Sequence, residues 1–252
     1  AGARRGIAVA TAALREARNG PELLSRIRRE TRFSVRLLDP QAEARCAFFG
    51  AVYGMTAEHG LVLDIGGGSL QLAHFRDRVL QRSWSLPLGA LRMSDRFLRG
   101  SAGGKKGARR LAAAASAGLA QAGIPELRDD EVLIGTGGTI RNLGKIDTRR
   151  HGHPIARLHG YVLTAGRVRG LNELLERRSG ARLPAIRGLN AARTDSIAGG
   201  GLLVETVMER VGARRLLVAG LGLREGLLLE ALGLDLPAPA AVRASSVRAL
   251  VS

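Results

Sequence analysis

The chain has 252 residues, 45% of them hydrophobic, enough for one large domain or two modest ones with real cores. No apolar run reaches the roughly 18 residues of a membrane span, the first residues lack the basic-then-apolar order of a secretory signal, and a lone cysteine, Cys46, rules out an internal disulfide, which points to a cytoplasmic protein with no membrane partner. The charge, 39 Lys+Arg against 22 Asp+Glu, favours anionic partners, while 3% aromatics leave few platforms for stacking bases, so no specific nucleic acid is expected.

In chain order, Ile7 to Ala10 reads as a short strand. Thr11 follows as an N-cap to a helix from Ala12 to Arg18, ended by Asn19-Gly20. Pro21-Glu22 opens a second helix, and Phe33 to Leu38 alternates as a strand. Asp39-Pro40 is a cap with proline at the first helical position, and that helix runs to about Tyr53. Strand and helix alternate here as in an α/β layer fold. Leu61 to Ile65, Leu70 to Phe75 and Val79 to Leu86 then read as three adjacent antiparallel strands. A helix from Ala90 to Leu98 precedes Arg99 to Arg110, a Gly/Lys/Arg-rich stretch expected as a mobile basic loop. Helix 111–122, the strand Glu131 to Ile134 with its own helix, helices 164–178 and 193–211, the strand Leu216 to Ala219 and the helix Leu223 to Leu232 complete the order. The tail Pro237 to Ser252 is expected to fray.

Asp64-Ile65-Gly66-Gly67-Gly68-Ser69 carries the clearest chemistry. Three glycines let backbone N–H groups converge on an anion with no Cβ in the way, and Ser69 adds a hydroxyl. An Asp at the end of the incoming strand suits a divalent metal beside the phosphate. The plain alternative is a glycine-rich hairpin turn; the ordered strand, Asp, glycine triplet, Ser and second strand favour phosphate. The turn is not a Walker A loop, because no Lys-Ser/Thr follows it. Gly135-Thr136-Gly137-Gly138-Thr139 is a second glycine loop that opens a helix, where the dipole favours an anion. Glu43 and Arg15 have local readings of their own, helix-dipole compensation and a solvated helix arginine. They become a general base and a phosphate clamp only if the fold brings them to the loop. The five His residues show no metal-ligand spacing, and His151 and His153 read as surface residues. Most of the positive charge is Arg spread along the chain, with only Lys105, Lys106 and Lys145 as lysines, so charge alone supports anion affinity and no more.

Several blocks in order resemble the exopolyphosphatase / guanosine pentaphosphate phosphohydrolase (Ppx/GppA) family of the actin-like ATPase superfamily. They are Ala10 to Ala17, Ala42 to Arg45 with Gly50, Leu63 to Ser69, Ser85 to Gly89 with Arg92, Arg96 and Phe97, Gly135 to Thr139, His159-Gly160, Arg193 to Asp195, and Leu223 to Gly226. The resemblance implies an α/β, ribonuclease H-like fold of two lobes, with 1–58 as a remnant of the first lobe, 59–225 as the second, and 226–252 as a C-terminal helix and tail returning to the first. It implies hydrolysis, with Mg²⁺, of the terminal phosphate of polyphosphate or the 5′ γ-phosphate of guanosine pentaphosphate. The family's water-orienting glutamate falls on Glu43, its second phosphate loop on Asp64 to Ser69 with Asp64 toward the metal, its strand-helix arginine on Arg15, and its nucleoside-side loop on 135–139. A homodimer is compatible with it.

Two departures from the family pattern carry expectations. Gln71, preceded by Leu70, stands where the family has Glu preceded by Thr; it keeps the shape and an acceptor oxygen but loses a charge at a catalytic position. The chain also opens at Ala1-Gly2-Ala3-Arg4-Arg5 without the family's Gly-Ser-Asn-Ser-like first phosphate loop. Catalysis of this kind rests on positioning and charge stabilisation, so residues 1–252 alone are expected to be inactive or very slow. A silent phosphate or nucleotide sensor is the alternative from another class, and a kinase the least favoured reading.

Overall fold

A computed structural model describes residues 6–31, 33–99, 104–154, 157–178 and 180–234. Strands β1 (Ala8–Ala10) and β2 (Val35–Leu37) pair in parallel as a small sheet, joined by helices α1 (Ala12–Glu16) and α2 (Gly20–Thr31). Helix α3 (Pro40–Val52) follows. Then come β3 (Gly60–Ile65), β4 (Leu70–Arg76), β5 (Val79–Leu86), α4 (Ala90–Phe97), α5 (Gly104–Gln121), β6 (Val132–Thr136), α6 (Gly137–Arg150), β7 (Tyr161–Thr164), α7 (Ala165–Arg177), α8 (Ile197–Arg210), β8 (Arg215–Val218) and α9 (Leu223–Ala231). The second sheet has six strands in the order β5-β4-β3-β6-β8-β7. The β3-β4-β5 meander is antiparallel as read from the sequence, β3, β6 and β8 are parallel, and β7 closes the far edge antiparallel to β8.

Strand alternation divides the core. Leu61, Leu63 and Ile65 of β3 face the layer of α4 to α8 with Leu72, Leu133 and Leu216. Val62, with Ala73, Phe75 and Ile134, faces the other way and buries against Phe48, Ala51 and Val52 of α3. Helix α3 therefore lies on the large sheet. Asp39 caps it by accepting from the Ala42 N–H at 2.7 Å, with Pro40 in the first turn. Its far end is closed by Arg78, whose guanidinium is buried and donates to the carbonyls of Val52 (3.1 Å), Met55 (2.7 Å) and Ala57 (3.0 Å). Those bonds hold Arg78 and its neighbour Asp77 in the left-handed region, φ 59° and 51°, as the two-residue turn between β4 and β5 requires.

Helix α9 crosses α3 at close range. A Cβ on Gly50 would overlap the Gly222 carbonyl, and one on Gly226 would overlap the Cys46 carbonyl. Leu38, Cys46 and Leu227 make a third core there, with Val9 of β1 packed against it. So α3 and α9 together join the small sheet to the large one.

Three sequence expectations need correction. Lys105 to Arg110 are not loop but the opening turns of α5; Gly107 faces inward and is buried in line with Leu111, Ala115 and Leu119, so packing overrides the low helix propensity of the glycines. Residues 100–103 of the expected mobile loop, and the tail 237–252, lie outside the described residues. The first helix stops at Glu16, and the Thr11 side chain makes no cap bond although its backbone is extended as a cap requires.

Candidate active site

Register builds the site. Asp64 of β3 stands opposite Gln71 of β4 and beside Thr136 of β6, and Gln71 stands opposite Ser85 of β5. Directly paired residues share a sheet face, so Ser85, Gln71, Asp64 and Thr136 form a polar row. It lies on the face covered by α3, one step beyond the apolar row of Ala73, Val62 and Ile134. Glu43, in the first turn of α3, lies close enough to Asp64 for the two carboxylates to repel each other. The site thus sits at the carboxyl ends of parallel strands β3 and β6, where open α/β sheets bind ligands.

Glu43 is buried at 6% exposure and accepts from Arg15 Nη1 at 3.3 Å; the same nitrogen donates to the Leu38 carbonyl at 2.6 Å. Burial raises the Glu43 carboxyl above its ordinary value, the Arg15 hydrogen bond and charge pull it partly back, and Glu16 adds an upward push. Asp64 is pushed up to about 6, first by burial and then by Glu43, against the pull of Arg141 and Arg193. Gln71 is buried and its Nε2 donates to Ser69 Oγ at 2.7 Å and to Ser85 Oγ at 3.4 Å. With Ser69 Oγ accepting from Gln71, its own proton is free to point elsewhere.

The glycine turn is asymmetric in its hydrogen bonding. All three glycine carbonyls are taken by the start of α4: Gly66 O by Ala90 N–H (2.9 Å), Gly67 O by Leu91 (3.0 Å) and Arg92 (3.1 Å), and Gly68 O by Gly89 N–H (3.2 Å) and Arg92 Nε (2.9 Å). The turn therefore caps α4, consuming the amides that a helix N-terminus would otherwise offer. Gly89 must be glycine for this approach, since a Cβ there would overlap Gly67 and Gly68. Among the described residues the N–H groups of Gly67, Gly68 and Ser69 donate to no protein acceptor. With carbonyls turned into the fold and three amides left over, the turn has the unused donors that an anion site would need. Across from it, Ala12 of α1 lies against Gly68, and Glu16 pairs with Arg92.

The second glycine loop is not a loop throughout. Gly135 and Thr136 end β6, and Gly137 to Thr139 begin α6. Thr136 Oγ1 donates to the Leu221 carbonyl at 2.7 Å, and Thr139 is fully buried. Gly137, at φ 85°, leaves room for the Asp64 carboxylate, which a Cβ would overlap, and Gly138 is covered by the Arg193 guanidinium. Arg141 was not singled out from the sequence, although it stands one helical turn beyond Gly137, a spacing that would have marked it. Arg193 stood there only as part of the family-like block Arg193 to Asp195, with no role attached to it. Among the described residues no group of three or more His, Cys, Asp or Glu side chains gathers for a metal. Asp64 with Glu43 nearby is the kind of sparse carboxylate set that Mg²⁺ uses when phosphate oxygens and water complete its shell.

Residues 2–234 match the Ppx/GppA phosphatase family. The chain is 30% identical over 249 residues to exopolyphosphatase 1 of Mycobacterium tuberculosis, covering 97% of this chain and 72% of that protein. It is 26% identical over 242 residues to the guanosine-5′-triphosphate,3′-diphosphate pyrophosphatase of Aeromonas salmonicida, covering 89% of this chain and 44% of that one. The crystal structure of the Aquifex aeolicus Ppx/GppA family member superposes with a TM-score of 0.77 at 27% identity, over 90% of this chain and 73% of that one. An exopolyphosphatase from Cytophaga hutchinsonii gives 0.80 at 25% identity, over 92% and 76%. The α/β fold class expected from the sequence therefore stands, and the chain belongs to the Ppx/GppA phosphatase family, hydrolases of phosphoanhydride bonds.

Proposed function

We propose that this chain carries the site that removes the terminal phosphate of inorganic polyphosphate, in preference to the 5′ γ-phosphate of guanosine pentaphosphate. The observation that carries the reading is the glycine turn with its carbonyls occupied and the Gly67, Gly68 and Ser69 amides free, on the sheet end that Glu43 overlooks. The terminal phosphate accepts from those amides and from the Ser69 hydroxyl, which Gln71 orients. Glu43, held by Arg15, accepts a proton from water as the water oxygen bonds to phosphorus. The bridging P–O bond breaks, and orthophosphate and a chain shorter by one phosphate leave. The raised basicity of Glu43 that burial produces suits this role. Asp64 is the residue that would hold Mg²⁺, which supplies charge neutralisation on anhydride oxygens when bound. The loss of charge at Gln71 leaves Asp64 and Glu43 as the carboxylates for it. Arg193 over Gly138 leaves little open surface for a nucleoside at the 137–139 turn, which supports polyphosphate, as does the likeness to exopolyphosphatase 1.

Glu43→Gln tests the assignment, with polyphosphate binding and phosphate release measured on the same preparation. The expected result is binding within about twofold of the starting chain and release lowered by at least about a hundredfold. Binding with no release even from the starting chain would instead favour a phosphate sensor.

A further inference from the structure

Helix α6 leads away from the site. Gly137 lies at its start, and Arg149 and Arg150 stand in its last turn, about 18 Å along the axis. There a pocket of about 290 Å³ opens between α6, the end of α7 and the segment closing the short 3₁₀ helix Gly180–Ala185. Its apolar lining is Ile146 and Ile186, both buried, and the half-buried Leu174. Arg149, Arg150, Arg178 and Arg187 ring it, all exposed. Among the described residues none of these four is in an ion pair: Asp147 and Glu173, acids of the same two helices, pair with His151, Arg167 and Arg177 instead. Helix dipoles account for cations at the ends of α6 and α7. They do not account for Arg187, which ends no α-helix, or for apolar side chains left at the bottom of a cationic ring. The same segment continues toward the catalytic end of α6. Gly188, at φ 94°, packs against the Lys145 carbonyl, its own carbonyl accepts from Asn142 Nδ2 at 2.9 Å, and the Asn190 N–H donates to Asn142 Oδ1 at 3.3 Å. Asn190 then caps the turn Ala191–Arg193, and Arg193 covers Gly138.

We propose that this pocket is an effector site for a small phosphate monoester with a hydrocarbon body, and that its occupancy is felt at Arg193. Guanidinium groups grip a phosphate dianion through paired hydrogen bonds, which suits the rim. Ile146, Leu174 and Ile186 suit an alkyl or aryl chain, which inorganic phosphate lacks. A nucleotide fits less well, because the lining holds no carboxylate, hydroxyl or amide side chain to read a base edge. A ligand that draws Arg187 inward pulls on the segment anchored at Asn142, and so shifts the turn that seats Arg193 over Gly138. The site is separate from the glycine turn and does not depend on which phosphoanhydride is hydrolysed there.

The test titrates the chain with octyl phosphate below its micelle concentration, with inorganic phosphate and with octyl glucoside, which keeps the chain and drops the charge. Two variants address the pocket by different routes: Arg149→Gln/Arg187→Gln removes rim charge, and Ala185→Trp fills the opening from an exposed lining position while keeping all four arginines. Arg28→Gln/Arg29→Gln, on exposed positions of α2, is the charge-matched control. Octyl phosphate is expected to bind at least about tenfold more tightly than either comparison ligand, and each pocket variant to weaken it by at least about tenfold, with the control within about twofold. The Arg193 Nε–H resonance is expected to move on saturation of the starting chain and to stay in place in Ala185→Trp. Octyl phosphate binding no better than inorganic phosphate, pocket variants that bind unchanged, or an equal loss in the control each overturns the site. Capture by phosphatidic acid vesicles that octyl phosphate does not displace overturns the soluble ligand in favour of a membrane surface. Binding with the Arg193 resonance unmoved overturns the effector role. No turnover is read, so failure of the hydrolase reading and failure of this site are told apart.

Discussion

Asp64 pays for its position in the site with fold stability. Its carboxyl stands at about 6 in the folded chain, against about 3.9 for an exposed Asp. Between those values the folded chain keeps a proton that the unfolded chain has released, so stability falls as pH rises from about 4 to 6 and is level above that. Asp64→Asn removes the slope. Its expected gain is up to roughly 3 kcal/mol at pH 8 and close to zero at pH 4, in metal-free buffer, read from urea midpoints at the two pH values. A variant no more stable than the starting chain at pH 8 would contradict the assignment of the shift to Asp64. At this scale the sequence was partly legible. The glycine triplet and Asp64 point to a phosphate site in the sequence itself, because backbone access and a strand-end carboxylate are local features. Glu43 was ambiguous between dipole compensation and catalysis, since only the packing of α3 on the sheet decides what its first turn faces. Arg193 carried a family-like block but no role for the same reason: its partner Gly138 lies in another element.

Helix α4 and the glycine turn are one unit at the scale of elements. The turn's carbonyls cap the helix, and the helix amides fix which way the turn's own amides point. Gly89→Ala tests the coupling, because the new methyl group would overlap Gly67 and Gly68 and push the turn off α4. Polyphosphate affinity is expected to fall at least tenfold, with a stability loss of about 1–3 kcal/mol from the overpacked contact. A variant that loses that stability yet binds unchanged would separate the turn from the site. The helices and strands themselves were largely legible from periodicity and caps; Asp39-Pro40 marks the start of α3 in the sequence and in the fold. Lys105 to Arg110 reads as loop because Gly lowers helix propensity and Lys signals exposure locally, whereas Gly107 is buried in line with Leu111, Ala115 and Leu119 where α5 meets the core.

Over the whole molecule, the proposed site is made by two sheets that share α3. The small sheet supplies Arg15 through α1, the large sheet supplies Asp64, Gln71 and the glycine turn, and α3 with Glu43 spans both, locked to α9 by Gly50 and Gly226. The α/β class was readable from the alternation of strands and helices. The strand order was not, because β8 enters between β6 and β7, a pairing set by long-range packing rather than by chain proximity. Such a composite site makes a sharp demand on where phosphate appears. The most direct measurement is an amide chemical-shift titration of the Glu43→Gln chain with tripolyphosphate. The largest shifts are expected at Gly67, Gly68 and Ser69, with smaller ones at Gln71 and in the first turns of α1 and α3. Shifts concentrated elsewhere, with those three amides unmoved at saturation, would contradict the account.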